Sequence, residues 1–279
     1  MKILMTAEST CDLTKAQIEE NKIKIMPLII NLGEDSFIDS VNIQSNDIFN
    51  YVSKTGILPK TAARGIYEYQ EFFVDALKSC DAIIHISLSS EMSSSYNNAL
   101  AASKNYKNVF VVDSRSLSTG YGLLVLSGID MINAGMPAKE IYEKLTELTK
   151  KIHASFIINN LKYLYKGGRC SAIALLGSNI LKIKPCIEIK EGSMGVGKKY
   201  IGKLNDVLIK YVKDLLKAHQ DINKKHCFIT YSSSEEIEIH KIREILLDHG
   251  FENVYESTAG CTIASHCGPQ TLGVLFINN

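Results

Sequence analysis

Short apolar runs with strand character recur along this chain, and stretches with helical periodicity lie between most of them. That alternation commits it to α/β layering, because strands bury their faces under helices and each helix buries its apolar stripe on a sheet. Segments 2–6, 23–31, 81–87 and 108–113 read as a first set of strands. Helical periodicity covers 14–21, 46–54, 66–79, 94–104 and 120–134; Gly135 and Pro137 then end the last of these and open an amphipathic helix at 138–150. A second set of strands, 154–159, 187–190, 227–231, 254–257 and 272–277, alternates with helices at 172–181, 205–219 and 235–250. A chain of 279 residues exceeds one ordinary core. Two α/β domains are expected, 1–152 and 153–279, divided where the amphipathic helix gives way to the strand at 154.

Thirty-one basic residues against thirty acidic ones leave a net charge of +1, so no global field draws this chain to nucleic acid or an anionic surface. No apolar run approaches the ~18 residues of a transmembrane span. Residues 1–6, with one Lys and a short apolar stretch, do not make a signal peptide, so a cytoplasmic location is expected. The seven cysteines are odd in number and lack a C-x-x-C pair, which reads as free thiols. Cys261, His266 and Cys267 lie close together but have no fourth ligand at a recognised spacing, and no metal is expected.

Gly192, Gly197 and Lys198 match the opening of a phosphate-binding loop, G-x-x-x-x-G-K, after a predicted strand. Lys199 stands where Ser or Thr must ligate magnesium, so the segment reads instead as a glycine-rich hairpin turn. Gly120-Tyr121-Gly122 opens a helix, but Val125 occupies the third glycine position of a dinucleotide fingerprint, and close helix packing explains the pair better. Residues 87–96 are more informative, with six serines between a strand and a helix. A helix N-terminus offers unpaired N–H groups and partial positive charge, so serines there can hold an anion without Lys or Arg. Capping alone needs only one of them. Thr61, in a loop at 59–62, and His266, at 264–269, are unremarkable singly.

Together these residues resemble the DegV family almost from end to end. The matching motifs are Glu8-Ser9-Thr10-Cys11-Asp12-Leu13; Ser87-Leu88-Ser89-Ser90 followed by Ser93 to Tyr96; and Val111-Val112-Asp113-Ser114 leading to Gly120-x-Gly122. Then come Leu161-x-Tyr163-Leu164-x-Lys166-Gly167-Gly168-Arg169, Ile183-Lys184-Pro185 and His266-x-Gly268-Pro269. The resemblance implies two α/β domains with a lipid-binding tunnel between them, and the role of the fatty-acid-binding subunit of a bacterial fatty acid kinase. Carried over by position, Thr61, Ser93 and His266 bind the carboxylate of a long-chain fatty acid, the Ser94 N–H helps, and Arg169 lies on the face that meets the kinase. No catalytic residue and no cofactor carries over, since the ATP-dependent partner supplies nucleotide and metal.

Three departures bear on the head group: Glu8 replaces the family's Asp, Ser94-Ser95 replaces Gly-Thr, and Ala62-Ala63-Arg64 follows Thr61 where Ser and Pro are usual. None removes a carboxylate-binding hydroxyl. Burying ~15 methylenes at roughly 0.8 kcal/mol each gives about 12 kcal/mol gross, so affinity is expected from the tunnel and orientation from the few polar groups. Two other readings remain open. A serine hydrolase could use Ser93, His266 and Asp113, although G-x-S-x-G is missing. A regulatory or structural binding protein could use the same fold without lipid.

Overall fold

The computed structural model describes residues 1–173 and 183–279, and the helix expected at 172–181 falls almost wholly outside the described residues. In chain order the strands are β1 (Ile3–Glu8), β2 (Lys24–Met26), β3 (Ile29–Leu32), β4 (Asp35–Ile38), β5 (Lys60–Ala62), β6 (Ala82–Ser87), β7 (Val109–Asp113), β8 (Ile152–Ile157), β9 (Lys184–Lys190), β10 (Ser193–Tyr200), β11 (Ile222–Tyr231), β12 (Asn253–Thr258) and β13 (Leu272–Asn278). The helices are α1 (Lys15–Glu20), α2 (Ser45–Thr55), α3 (Ile66–Leu77), α4 (Ser95–Ser103), α5 (Thr119–Asn133), α6 (Ala138–Leu148), α7 (Leu161–Gly167), α8 (Leu204–Ala218), α9 (Ile239–Asp248) and α10 (Cys261–Cys267).

Four strands form a parallel sheet in the order β2-β1-β6-β7. β6 is buried along its whole length, and its mostly apolar sequence is what a strand covered by helices on both faces requires. α3 and α4 pack on one face around Tyr69, Phe73, Ala99 and Ala102, while α5 and α6 cover the other. The second half builds a six-stranded sheet in the order β10-β9-β8-β13-β11-β12, antiparallel except between β11 and β12. α8 and α9 close its outer face around Leu208, Val212, Ile242 and Leu246.

α5 belongs to both halves. It packs on β1 and β6 on one side and on β8, β11 and β13 on the other. The two glycines at its start permit this approach: a β-carbon at Gly120 would lie 2.5 Å from Ser116 Oγ and 3.3 Å from Ala154 Cβ. One at Gly122 would lie 2.8 Å from the Cys11 carbonyl oxygen. The Gly120-x-Gly122 motif is a packing device, as its sequence context implied.

The single strand expected at 23–31 is two strands in two sheets. Pro27 lacks an N–H to continue the ladder. After it, β3 restarts in a small antiparallel sheet, β4-β3-β5. Other differences share a cause in brevity or composition. β4, β5, α7 and α10 span three to seven residues each, too few for a period to show. β10 carries Gly195, Gly197, Lys198 and Lys199, a loop-like composition, and α9 starts at Ile239 rather than 235. Of the segment read as a glycine-rich turn, only Gly192 (φ 83°), with Glu191 (φ 51°), turns the chain between Lys190 and Ser193, while Gly197 and Lys198 lie on β10.

In an exposed helix, Gly→Ala gains up to about 1 kcal/mol. At Gly122 the added methyl meets a backbone oxygen, so the sign should reverse: Gly122→Ala is expected to cost about 1–3 kcal/mol, read as a lower urea midpoint with an unchanged slope. A midpoint that rises or stays put would show that α5 can back away from the Cys11 turn.

Candidate functional site

β1, β6 and β7 end at one edge of the parallel sheet, with β2 and β6 flanking β1 on opposite sides. The strand order reverses there, and open α/β sheets bind ligands in the crevice at such a point. Glu8 forms its floor, fully buried. Its Oε1 accepts from Tyr69 Oη (2.8 Å), Ser87 Oγ (2.7 Å) and His85 Nε2 (3.1 Å), and its Oε2 from the Leu88 N–H (2.9 Å). Burial alone would raise this carboxyl, but the donors, led by His85, outweigh burial and hold it below its ordinary range. The serine loop starts from this anchor. The Met92 and Ser93 N–H groups donate to the Ser89 carbonyl (3.0 and 3.2 Å), and Ser93 Oγ lies 3.0 Å from Ser95 Oγ.

α10 supplies the opposite wall, and two aspartates fix its first turn. Asp39 accepts from the Cys261 N–H (2.8 Å), the Thr262 N–H (3.2 Å) and Thr262 Oγ1 (2.7 Å). Asp12 accepts from the Gly260 N–H (2.9 Å) and Ser118 Oγ (2.5 Å). In the last turn, His266 Nε2 lies 2.9 Å from Thr61 Oγ1 on β5. The small sheet, with Asp39 just after β4 and Thr61 on β5, therefore grips α10 at both ends.

Among the described residues His266 Nδ1 has no hydrogen-bond partner. It packs on Gly167, where a β-carbon would lie 2.5 Å from it. Orphaned buried N–H groups are rarer than orphaned buried acceptors, so the neutral ring keeps its proton on Nε2. It then donates to Thr61 Oγ1, which frees the threonine hydroxyl hydrogen for a group in front of it. Gly168, at φ 69°, caps α7 and leads into Arg169. Gly268, at φ 72°, makes room for the Tyr163 ring, 2.6 Å from where a β-carbon would stand. The Gly167-Gly168 and His266-x-Gly268 motifs are thus two sides of one close contact between α7 and α10.

Thr61, Ser93, Arg169 and His266 line one cavity of about 50 Å³, with Leu28, Leu88, Met92, Leu117, Met194 and Ile263. A second cavity of about 20 Å³ lies behind Leu117, Ile263 and Cys267, which line both, and reaches Phe156 and Leu275. Ser94 does not line either; it stands at the start of α4 without a side-chain cap bond. Thr61, expected in a loop, sits on a strand. The hydrogen bonds do not connect Ser93, His266 and Asp113 as a triad. Ser93 pairs with Ser95 and His266 with Thr61, while Asp113 accepts from Ser90 Oγ (2.5 Å) and the Arg115 N–H (3.1 Å). Sequence reasoning missed the clamp by Asp12 and Asp39. Asp12 stood inside a motif without a role, and nothing in Ile38-Asp39-Ser40 separates a buried anchor from a surface turn. Cys261 donates its thiol to the Ile43 carbonyl (3.3 Å). Among the described residues, no cluster of three His, Cys, Asp or Glu could hold a metal, and no helix is long and apolar enough to cross a membrane.

Comparison with known proteins covers the same span. A family model described as "Uncharacterised protein, DegV family" matches residues 2–279. A DegV domain-containing protein of Caldanaerobacter subterraneus is 30% identical over 280 residues, covering 99% of this chain and 98% of that protein. One from Clostridium perfringens is 29% identical over 285 residues with the same coverage. Among solved structures, a DegV family protein from Thermus thermophilus, described by its fatty acid binding, superposes with a TM-score of 0.92 at 23% identity over 100% of both chains. DegV of Bacillus subtilis, described as a fatty acid binding protein, gives 0.85 at 25% identity over 100% of both.

Burial, with the nearby Arg169 charge, pushes His266 down from 6.5 to about 4. A histidine held low contributes stability that is complete above pH 6.5 and is lost as the pH falls toward 4, on the order of 3 kcal/mol at most. Wild type should therefore lose urea resistance more steeply than His266→Gln between pH 7 and about 4.5. Parallel curves for the two proteins would place the titration elsewhere.

Proposed function

The chain belongs to the DegV family, and from that premise we propose that it binds a long-chain fatty acid and presents the carboxylate to a partner kinase. A carboxylate oxygen attacks the γ-phosphorus of ATP held by the kinase, ADP leaves, and an acyl phosphate forms. The observation that carries this reading is the convergence of Thr61, Ser93, His266 and Arg169 on one cavity whose other walls are largely aliphatic. An anionic head and an alkyl tail fit such a lining. Relatives described as fatty-acid- or lipid-binding proteins, from Bacillus subtilis and Thermotoga maritima, each 25% identical, support the ligand class.

The head group takes the Thr61 and Ser93 hydroxyls, with His266 polarising Thr61 and the Ser94 N–H as a further donor. The tail runs past Leu117 and Ile263 between the halves 1–152 and 153–279, which act as two domains. Arg169 stands at the opening and contacts the kinase. The protein works in the cytoplasm and needs no cofactor or metal of its own, because the kinase brings both nucleotide and magnesium.

Mass spectrometry of an organic extract should show a long-chain fatty acid near one per chain. Ser93→Ala should weaken binding by about 1–3 kcal/mol, the cost of leaving a buried acceptor short of a donor. Protein that neither carries an acid nor takes up palmitate or oleate would sink the reading.

Binding and presentation should separate at Arg169. A guanidinium grips phosphate or carboxylate through two parallel hydrogen bonds that lysine cannot reproduce. Arg169→Ala and Arg169→Lys should retain fatty acid, while acyl phosphate formation with the cognate kinase and ATP falls at least about tenfold, 1.4 kcal/mol. Equal turnover at limiting protein would remove Arg169 from the kinase interface.

A further inference from the structure

The head-group cavity, at about 50 Å³, is too small for the ligand class assigned to it. Sites for molecules of that size measure roughly 300–1,000 Å³. Some wall must part, and the β9–β10 hairpin has the construction of a moving part. Hairpin turns normally project into solvent, yet Gly192 at this tip is buried. Ser89 Oγ donates to the Gly192 carbonyl (2.7 Å), and the Arg115 guanidinium donates to the Glu191 carbonyl. Arg115 also reaches Ser90 Oγ (3.2 Å) and Glu91 (3.1 Å), and its own backbone sits at φ 52°, a conformation non-glycine residues rarely hold. The tip is thereby fastened to the serine loop.

Two further features make this fastening a latch rather than ordinary packing. First, the hairpin carries its own hinge. β10 is an edge strand whose ladder partner among the described residues is β9. Its far end is tied to α8, where Asp214 accepts from Lys198 Nζ (2.6 Å) and Tyr200 Oη (3.1 Å). Its register shifts between Val196 and Lys199, between that fixed end and the tip, where Gly195 and Gly197 weaken the strand. Second, the tip connects to the site by short routes. Met194, two residues past it, lines the cavity, and the Ser89 carbonyl accepts the Ser93 N–H at 3.2 Å. Moving the tip therefore removes a cavity wall and loosens the head-group loop together.

We infer that the β9–β10 hairpin is a strap that opens to admit and release the acyl ligand, with Arg115 as its latch; the inference rests on the fatty-acid reading above. A β-carbon at Gly192 would lie 2.8 Å from Arg115 Cζ, at a φ of 83° that side chains rarely adopt, so the tip is best released from the Ser89 side. Ser89→Ala, which removes the hydrogen bond to the Gly192 carbonyl and lies outside the cavity lining, should speed the association of cis-parinaric acid at least about tenfold, since a tenfold rate change needs only about 1.4 kcal/mol. Arg115→Ala, which leaves every cavity-lining side chain in place, should speed both association and dissociation while the dissociation constant stays within a few-fold. A wild-type association rate in Ser89→Ala overturns the strap, as does an Arg115→Ala protein that loses affinity without faster exchange. Wild type that takes up no parinarate instead overturns the fatty-acid reading beneath it.

Discussion

The structure depends on one helix that has no solvent face over its first half. Residues 119–125 of α5 are all buried, and a helix apolar on every side must be enclosed on every side. The parallel sheet covers it from below and the six-stranded sheet from above. Its glycines let both approach, and two hydroxyl pairs fix where they stop. Tyr121 Oη lies 2.6 Å from Thr10 Oγ1 in the first half, and Thr119 Oγ1 lies 2.5 Å from Thr230 Oγ1 in the second. Because each pair sits in an apolar surrounding, sliding either sheet along α5 would strand its hydroxyls. The register of the halves, and so the position of the crevice beside Leu117 at the start of α5, follows from these contacts.

At that crevice the protein spends stability on placement. Asp12 and Asp39 are buried with no ion pair among the described residues, and burial pushes Asp12 up to about 8 against the pull of its donors, Ser118 and Gly260. Such groups cost free energy that a hydrophobic pair would not. What they fix is α10, a helix of seven residues that could not hold its own position. With its first turn bound to Asp12 and Asp39 and its last to Thr61, His266 is pressed against Gly167 in one tautomer. The polar groups of the cavity are thus held in place by the fold itself, so a ligand there need not order them.

The motifs that resemble the DegV family are explained by the same contacts. Gly120 and Gly122 admit the sheets, Gly167 admits the His266 ring, and Gly268 admits Tyr163. Asp12 and Ser87 build the polar floor and clamp. Substitution between these points only has to preserve apolar volume, which many sequences do. Glu8 fits the same logic: as the longer acid it gathers Tyr69, His85, Ser87 and Leu88 around one buried carboxylate.

The alternation of apolar runs and helical periods determined the α/β class and most element positions, because both signals are local and depend on side chains a few residues apart. The run of serines between β6 and α4 likewise marked a polar loop at the cavity, since a helix N-terminus needs no distant partner to be polar. The rest was decided by contacts across the chain. Thr61 and His266 are 205 residues apart, and neither has any local mark of the hydrogen bond they share. Asp39 becomes an anchor only because α10, 222 residues later, brings its first N–H groups there. The docking of the 191–192 turn on Ser89 and Arg115 has no sequence signature either, because a hairpin turn specifies only its own two residues. Short-range periodicity encodes which faces must be buried. What each face is buried against depends on how α5 brings the two sheets together, and that the tertiary structure alone decided.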